Sequence, residues 1–304
     1  MKNKSPKVSI GLPVYNGEKF IKKRIENLLE QTFSNFELII SDNASTDSTF
    51  EICKNFEKKD LRIRCIRQEK NMGAIWNFNF VLKESKGEYF TWAAADDLLK
   101  PTFLEKNIEI LESKKNIVCS VSKIKMFGKF TENLKSKPSD SFLTKIEKKI
   151  KKRFSYMDTF SVTGDYNSKV HNFIKNCRHN QIFYGVYRKE ALEKCIINES
   201  FICFDTAYSL SILKYGDLHV VDDILMMVFD GGESRTGMID VAKQNNRKLI
   251  WIIFPYMKFT IWCKNHLGAK LFLKNFNFFF RLNLIGLMSL SLDILRKIRK
   301  SRGI

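Results

Sequence analysis

A chain of 304 residues with 44% hydrophobic and 13% aromatic content holds enough apolar material for one large folded domain plus an appendage, which excludes a disordered chain. Seven cysteines without C-x-x-C or another zinc spacing exclude a disulfide scaffold or zinc module and predict reduced, mostly buried thiols in the cytosol. The net charge of +19 is concentrated late: residues 241–304 carry thirteen Lys or Arg against one acid, Asp293, which suits an anionic membrane surface better than nucleic acid, for which no reading motif is present.

Taken in order, Lys7 to Val14 reads as a first strand, its apolar run too short for a signal sequence. Tyr15-Asn16-Gly17-Glu18 turns into a helix with apolar residues at Phe20, Ile21, Ile25, Leu28 and Leu29. Phe36 to Ser41 is a second strand that ends in Asp42-Asn43-Ala44-Ser45-Thr46-Asp47, and Ser48-x-x-Glu51 reads as a capping box opening the next helix. Leu61 to Ile66 is a third strand, and Asn71-Met72-Gly73 turns into a helix through Lys83. Tyr89 to Ala95 is uncharged, aromatic and small, a strand buried on both faces, with Asp96 and Asp97 at its carboxyl end. This β-α-β-α-β-α-β alternation predicts an α/β fold, a mostly parallel sheet flanked by helices with right-handed crossovers. A helix from Thr102 and a strand from Ile117 to Val121 follow.

The second half is looser. Residues 127–160 are polar, and Lys145 to Arg153 reads as a solvated helix. Ile182 to Tyr187 reads as a strand, with a short helix from Lys189, a helix from Asp205 through Leu213 and a strand Leu218 to Val221. Asp222 and Asp223 then fall in a tight connection before apolar Ile224 to Phe229, and Asp230 to Gly237 is a glycine-rich loop placed to act as a lid. The tail from Val241 is helical, aromatic and basic. Its longest charge-free stretch in the last fifty residues, Leu282 to Leu292, falls short of the roughly 20 residues a membrane span needs. Phe272, Phe276, Phe280 and Leu284, interleaved with Lys274 and Arg281, suit a segment lying in the lipid interface; packing back on the core or on a second copy is the alternative. His171, His179, His219 and His266 stand singly, and Trp76 and Trp92 read as core.

The stretch Gly87 to Asp97 carries the chemistry. Ligands of open α/β sheets bind at the carboxyl ends of strands. Two adjacent carboxylates there repel unless a cation lies beside them, and hard oxygen ligands suit Mg²⁺ or Mn²⁺ carrying substrate phosphates. An Asp pair that simply caps the next helix is the competing reading.

Val8-Ser-Ile-Gly-Leu-Pro-Val-Tyr-Asn-Gly-Glu18, Gln31-Thr-Phe-x-x-Phe-Glu-Leu-Ile-Ile40, Asp42-Asn-Ala-Ser-Thr-Asp47, Asn71-x-Gly73, Gly87-Glu-Tyr89 and Asp96-Asp97 together resemble the family 2 glycosyltransferases of GT-A fold. The likeness is specific over residues 7 to 120 and weaker from Ile182 to Gly237. It implies inverting transfer of a sugar from a nucleotide-sugar donor, a UDP-sugar by preference, to the hydroxyl of a glycan or lipid-linked acceptor. It implies further that Pro13, Tyr15 and Glu18 line the nucleoside pocket, that Asp42 and Asn43 meet the base, and that Asn71 and Gly73 lie near the ribose and diphosphate. The family commonly has Asp where Asn43 stands. Asp96 and Asp97 occupy the family's DXD position, Asp97 as the better metal ligand and Asp96 toward the ribose or donor sugar, with Mn²⁺ or Mg²⁺ as cofactor. Asp205 sits where the family places its catalytic base, with a plain helix cap as the competing role and Asp222 and Asp223 as rivals; Arg235 would reach the diphosphate from the lid. The expected layout is a catalytic domain over residues 1–240, with a nucleotide half to about 122, and a tail over 241–304. The expected location is cytoplasmic, peripheral on the inner face of the cell membrane, in surface polysaccharide, lipopolysaccharide or lipid-linked glycan synthesis. A nucleotide-sugar-binding scaffold without turnover is the alternative, and a sugar nucleotidyltransferase fits less well because no cation cluster follows the first strand.

Overall fold

The computed structural model describes residues 5–133, 139–142, 145–146, 159–177, 180–231 and 249–301. Its centre is an eight-stranded sheet in the order β3-β2-β1-β4-β7-β6-β8-β5. The strands β1 (Val8–Val14), β2 (Phe36–Asp42), β3 (Ile63–Arg67) and β4 (Tyr89–Trp92) run parallel, joined through helices α1 (Glu18–Leu29), α2 (Thr49–Glu57) and α3 (Ala74–Lys83). Every residue of β1 and β4 is buried, because helices cover both faces and leave no solvent side on which polar residues would alternate.

The sheet opens where the ligand edge was expected. β4 pairs with β1 only from Val8↔Tyr89 to Gly11↔Trp92, and the last bond between them runs from the Ala93 N–H to the Gly11 carbonyl. The strand read as Tyr89 to Ala95 therefore stops at Trp92 and peels away. Pro13 faces the same side as Gly11, two residues on, so its missing N–H falls where β4 has already left and no ladder bond is lost. β2 and β4 flank β1 on opposite sides, so the gap beyond Gly11 is the switch point of the sheet.

The other half of the sheet is mixed. β6 (Ile117–Phe127) and β8 (Asp217–Phe229) are long parallel partners, β7 (Val186–Arg188) is antiparallel to β4 and β6, and the two-residue β5 (Leu98–Leu99) is antiparallel to β8. Helix α4 (Phe103–Ser113) leads from β5 into β6, and α5 (Lys129–Asn133), α6 (Tyr166–Asn176), α7 (Lys189–Glu193) and α8 (Phe204–Ile212) follow. Several expectations are corrected. Gln181–Tyr184 is a 3₁₀ turn rather than the start of a strand, since the rings of Phe183 and Tyr184 turn into the aromatic core and the Tyr187 hydroxyl donates to the Ile182 carbonyl at 2.8 Å. Asp222 and Asp223 lie within continuous β8, not in a connection. The Ser48 side chain caps nothing; its N–H donates to Glu18 Oε2 at 3.1 Å, and Asp47 Oδ1 accepts from the Thr49 N–H at 3.1 Å. Trp92 is core as expected, stacked on Phe183, but Trp76 is exposed and stacked on Phe80. All seven cysteines are free and five are buried. The basic run at 145–153 lies largely outside the described residues.

The tail forms helices α9 (Leu249–Ile253), α10 (Met257–Leu267), α11 (Ala269–Lys274) and α12 (Phe276–Ser301). They pack back on the core: Phe259, Cys263, Leu267, Leu271, Phe272 and Phe279 are buried in the same hydrophobic cluster as the strands of the sheet. His171 Nδ1 meets Asn275 Oδ1 at 2.9 Å across this seam. A second face stays uncovered, with Phe276, Phe280, Leu284, Ile285 and Met288 exposed along α12. Among the described residues no helix is long and apolar enough to cross a membrane.

Candidate functional site

Around the switch point the carboxyl ends of β1, β2 and β3 are laced together by short polar contacts. The Asn16 N–H donates to Ser45 Oγ (2.8 Å), the Gly17 N–H to Thr49 Oγ1 (2.8 Å) and the Glu18 N–H to Asp47 Oδ2 (3.2 Å). Glu18 is thus spent on holding the first turn against the loop after β2. Tyr15, by contrast, is 43% exposed and presents a free ring at the rim. Asp42 ends β2 fully buried, accepting from the Ser45 N–H at 3.3 Å with the Arg67 Nε 3.5 Å away; burial still pushes its carboxyl up.

Asn43 has a clear structural reason to be an amide. Its Nδ2 donates to Asn71 Oδ1 at 2.9 Å, and its Oδ1 accepts from the Met72 N–H at 2.9 Å. Asn71 Oδ1 also accepts from the N–H of Gly73, whose φ of +87° is open to glycine at little cost. An Asp at 43 would set a carboxylate against the Asn71 oxygen, so the departure at 43 and the Asn-x-Gly turn at 71–73 form one matched brace.

Asp96 and Asp97 follow β4 on the far side of the gap. Asp97 is 8% exposed, and its Oδ1 accepts from the Phe229 N–H at 2.8 Å, which ties the doublet to the last residue of β8. Burial pushes the Asp97 carboxyl up to about 6, and raises Asp96 as well. No group of three or more His, Cys, Asp or Glu able to hold a metal occurs among the described residues. Two carboxylates at a ligand edge, with the remaining positions left to phosphate oxygens and water, match the way Mg²⁺ or Mn²⁺ is carried with a diphosphate, so these residues fit such an ion.

Asp205 stands in the first turn of α8, behind Cys203, whose φ of +70° is uncommon for a residue with a side chain and costs on the order of 1 kcal/mol. Burial pushes the Asp205 carboxyl up to about 6, against hydrogen bonds from the Thr206 backbone and the Asn180 side chain. The Tyr184 phenol is pushed up first by burial, with the negative charges of Asp97, Asp205 and Asp96 adding to it. The rivals are placed otherwise: Asp223 pairs with Lys106 at 2.6 Å and Asp222 with Lys123, both at the surface.

Three residues of this region carried no functional reading in the sequence. Arg24 is 2% exposed on α1, and burial pushes its guanidinium down to about 10 against the opposing charges of Asp97 and Asp96. Its spacing, three after Ile21 and four before Leu28, places it on the apolar stripe and was the available signal. Tyr184 was hidden in a stretch read as strand. Tyr256, between α9 and α10, is pushed up to about 12 by burial, with the charges of Cys203 and Asp205 adding to it. Asp230 and Gly231 begin the predicted lid, while Arg235 lies outside the described residues.

Comparison with known proteins bears on the family and the fold. The model of Glycosyl transferase family 2 matches residues 9–194. Glycosyltransferase GlyG of Streptococcus pneumoniae serotype 4 is 36% identical over 107 residues, 35% of this chain and 36% of its own length. An uncharacterized glycosyltransferase of Haemophilus influenzae is 36% identical over 112 residues, 37% of this chain and 35% of its own. The chain thus spans about a third of the length of these curated relatives. Among solved structures, S. aureus TarS 1-349 in complex with UDP-GlcNAc aligns with a TM-score of 0.56 at 18% identity, covering 78% of this chain and 64% of that one. Mannosyltransferase PcManGT from Pyrobaculum calidifontis in complex with GDP-Man and Mn²⁺ aligns with a TM-score of 0.59 at 14% identity, covering 95% and 74%. At such identities the likeness shows the fold, a GT-A α/β sheet with helices added at the carboxyl terminus. Since the family match takes in well over half of the 304 residues, this chain belongs to glycosyl transferase family 2.

Proposed function

We propose that the chain transfers a sugar from a nucleoside diphosphate sugar, a UDP-sugar by preference, to an acceptor hydroxyl with inversion at the anomeric carbon. The observation that carries this reading is the Asp96–Asp97 doublet, set just past the end of β4 at the switch point of the sheet, with Asp97 tied to the end of β8 by the Phe229 N–H. Pro13, Tyr15 and Asp42 border the nucleoside, and the brace of Glu18, Asn43, Asn71 and Gly73 shapes that pocket from behind. Asp97 and Asp96 would hold Mg²⁺ or Mn²⁺ with the donor diphosphate. When bound, such an ion neutralises the charge that builds on the leaving group. Asp205 takes the proton of the acceptor hydroxyl from the opposite side of the sugar, as inversion requires. Arg235 is assigned the closing cation of the lid. An intact set of three carboxylates favours turnover over a binding-only scaffold.

The test is a thermal-shift panel of UDP, GDP and CDP and their sugars, each with and without Mn²⁺. A cognate nucleotide at a hundredfold above its Kd is expected to add about 2.7 kcal/mol and to raise Tm more with Mn²⁺ than without. A panel in which no nucleotide shifts Tm would sink the assignment.

The acceptor side is proposed as the half from about residue 123 onward, completed by the tail through Tyr256. The exposed apolar stripe of α12, beside Lys274 and Arg281, supports peripheral seating on an anionic membrane, at the inner face of the cell, and hence a lipid-linked acceptor of surface-glycan synthesis. Removing the tail would bare buried Phe201, whose ring meets Phe259 and Trp262, so the informative change is at the surface. Phe280→Glu with Leu284→Glu is expected to abolish co-flotation with anionic vesicles while leaving Tm within a degree or two, since both side chains are exposed. Undiminished flotation of the double variant would remove α12 as the anchor.

A further inference from the structure

We propose that Phe229 and Phe20 are positioning residues, which together set the Asp97 carboxylate at a fixed place relative to the Tyr15–Glu18 turn and leave its Oδ2 as the oxygen offered to a divalent ion. The proposal rests on the reading of Asp97 as a metal-holding residue and of that turn as the edge of the nucleoside pocket. It starts from a strand that runs out of partner. β8 pairs with β6 as far as Phe127↔Phe229, where the Asp230 N–H donates to the Phe127 carbonyl at 2.9 Å. On its other side β8 meets only the two residues of β5, as Leu98↔Met227 and Leu99↔Met226. Continued, that register would set Asp96 opposite Phe229, but the ladder ends at Leu98. The Phe229 N–H therefore needs another acceptor, and Asp97 Oδ1 supplies it at 2.8 Å. A backbone N–H held against one carboxylate oxygen stops the group from turning, as the outer partners of metal-ligating carboxylates do.

The donor is itself held by its ring. Phe229 lies between Phe127, its cross-strand neighbour, and Phe20 of α1, with ring centroids 5.5 Å and 5.4 Å away. A methyl group on Gly231 would stand 2.7 Å from the same ring, so the packing there is close. Phe20 comes two residues after Glu18, whose N–H is tied to Asp47 Oδ2 in the loop beyond β2. Further along, α1 grips the segment that follows the doublet. Asn27 donates from Nδ2 to the Leu99 carbonyl and accepts from the Leu99 N–H, both at 2.8 Å. Gln31, just past the end of α1, donates to the Lys100 carbonyl at 2.9 Å and accepts from the Leu104 N–H at 3.0 Å. One rigid element thus carries the turn beside β1 and fixes both flanks of Asp97, the far end of β8 through Phe20 and the start of β5 through Asn27.

The consequence is one of spacing. An ion shared between Asp97 and a diphosphate has to stand where the diphosphate of a seated nucleoside reaches. Loosening the carboxylate therefore weakens the ion-dependent part of nucleotide binding and spares the ion-independent part. Loss of an outer partner of this kind costs about ten- to a hundredfold in metal affinity. A purely packing role predicts something else, a lower Tm with equal effects in the presence and absence of the ion. Phe20 is 40% exposed, so its ring can be removed without opening the core.

The experiment titrates UDP, or whichever nucleoside diphosphate the panel selects, into the full chain by calorimetry with and without Mn²⁺. Three altered chains are compared with wild type: Phe20→Ala, Phe20→Tyr, and a chain in which Phe229 is replaced by its α-hydroxy acid, phenyllactate, through stop-codon suppression. Phenyllactate keeps the ring and exchanges the N–H for an ester oxygen. The gain in affinity that Mn²⁺ brings is expected to shrink at least about tenfold in the phenyllactate chain and at least about threefold in Phe20→Ala. Affinity without Mn²⁺ should stay within about twofold of wild type in all three, and Phe20→Tyr, which retains the ring, should keep the full gain. A gain that stays at the wild-type value in the phenyllactate chain or in Phe20→Ala overturns the proposal, as does an equal loss with and without Mn²⁺. Should the phenyllactate chain fail to fold, Phe20→Ala decides by the same criterion. A wild-type chain to which Mn²⁺ brings no gain overturns the metal-holding reading of Asp97 and this proposal with it, whereas a normal gain that the variants leave untouched removes Phe20 and Phe229 alone.

Discussion

Asp205→Asn is expected to lower transfer about a thousandfold while leaving nucleoside diphosphate binding within about twofold of wild type. The amide keeps the shape and accepts the same hydrogen bond from the Thr206 backbone, but cannot take a proton. An acceptor hydroxyl is a weak nucleophile until its proton begins to leave, which is why the loss falls on turnover and spares the donor. The pH profile separates this role from a helix cap. With the carboxyl pushed up to about 6 by burial, wild-type activity should fall as pH is lowered through about 6, because only the ionised form is a base. That limb should vanish in Asp205→Asn. A cap would show lower Tm and an unaltered pH profile instead, and full activity in the variant would remove Asp205 as the base.

Asp97→Asn is expected to weaken Mn²⁺-dependent nucleoside diphosphate binding by at least about a hundredfold, read by calorimetry, without loss of fold. The variant retains an oxygen for the Phe229 N–H, so the tie to β8 survives. Stability moves the opposite way from function. The folded chain holds the Asp97 proton up to about 6, above the unfolded value near 3.8. Ionising it therefore costs folding free energy as pH rises between those values, and that cost is fully present at neutral pH. Asn removes the cost, and its Tm at neutral pH should equal or exceed that of wild type. Metal-dependent binding that survives the change would sink the doublet as the metal-holding pair.

Much of the first half was legible in the sequence because parallel strands buried on both faces read as unbroken apolar runs; β1 to β3 fall within a residue or two of where those runs lie, and β4 starts where expected but ends three residues early. The turns at 15–18, 42–47 and 71–73 were equally visible, since Asn, Gly, Asp and Ser punctuate them. What failed to show depended on distant partners. Ser48 and Glu51 have capping-box spacing, but Glu18, thirty residues earlier, takes the Ser48 N–H. Trp76 is apolar in a helix and reads as core, yet it lies on the outer side of α3, stacked on Phe80 and 36% exposed. Phe183 and Tyr184 have strand-like composition, but the aromatic cluster around Trp92 draws the rings inward and the backbone coils into a 3₁₀ turn. Arg24 is the sharpest case. Its spacing on the apolar stripe of α1 marks it as buried, but the sequence does not say that Asn27, three residues on, accepts its hydrogen bond and clasps Leu99.

Gly286 has a reach beyond its own helix. A methyl group built there would lie 2.8 Å from the rings of Pro255 and Tyr256, so α12 comes this near only because the position is bare. Any side chain at 286 would force α12 away from Pro255 and Tyr256, so the seating of the longest tail helix on the turn before α10 hangs on a single hydrogen atom.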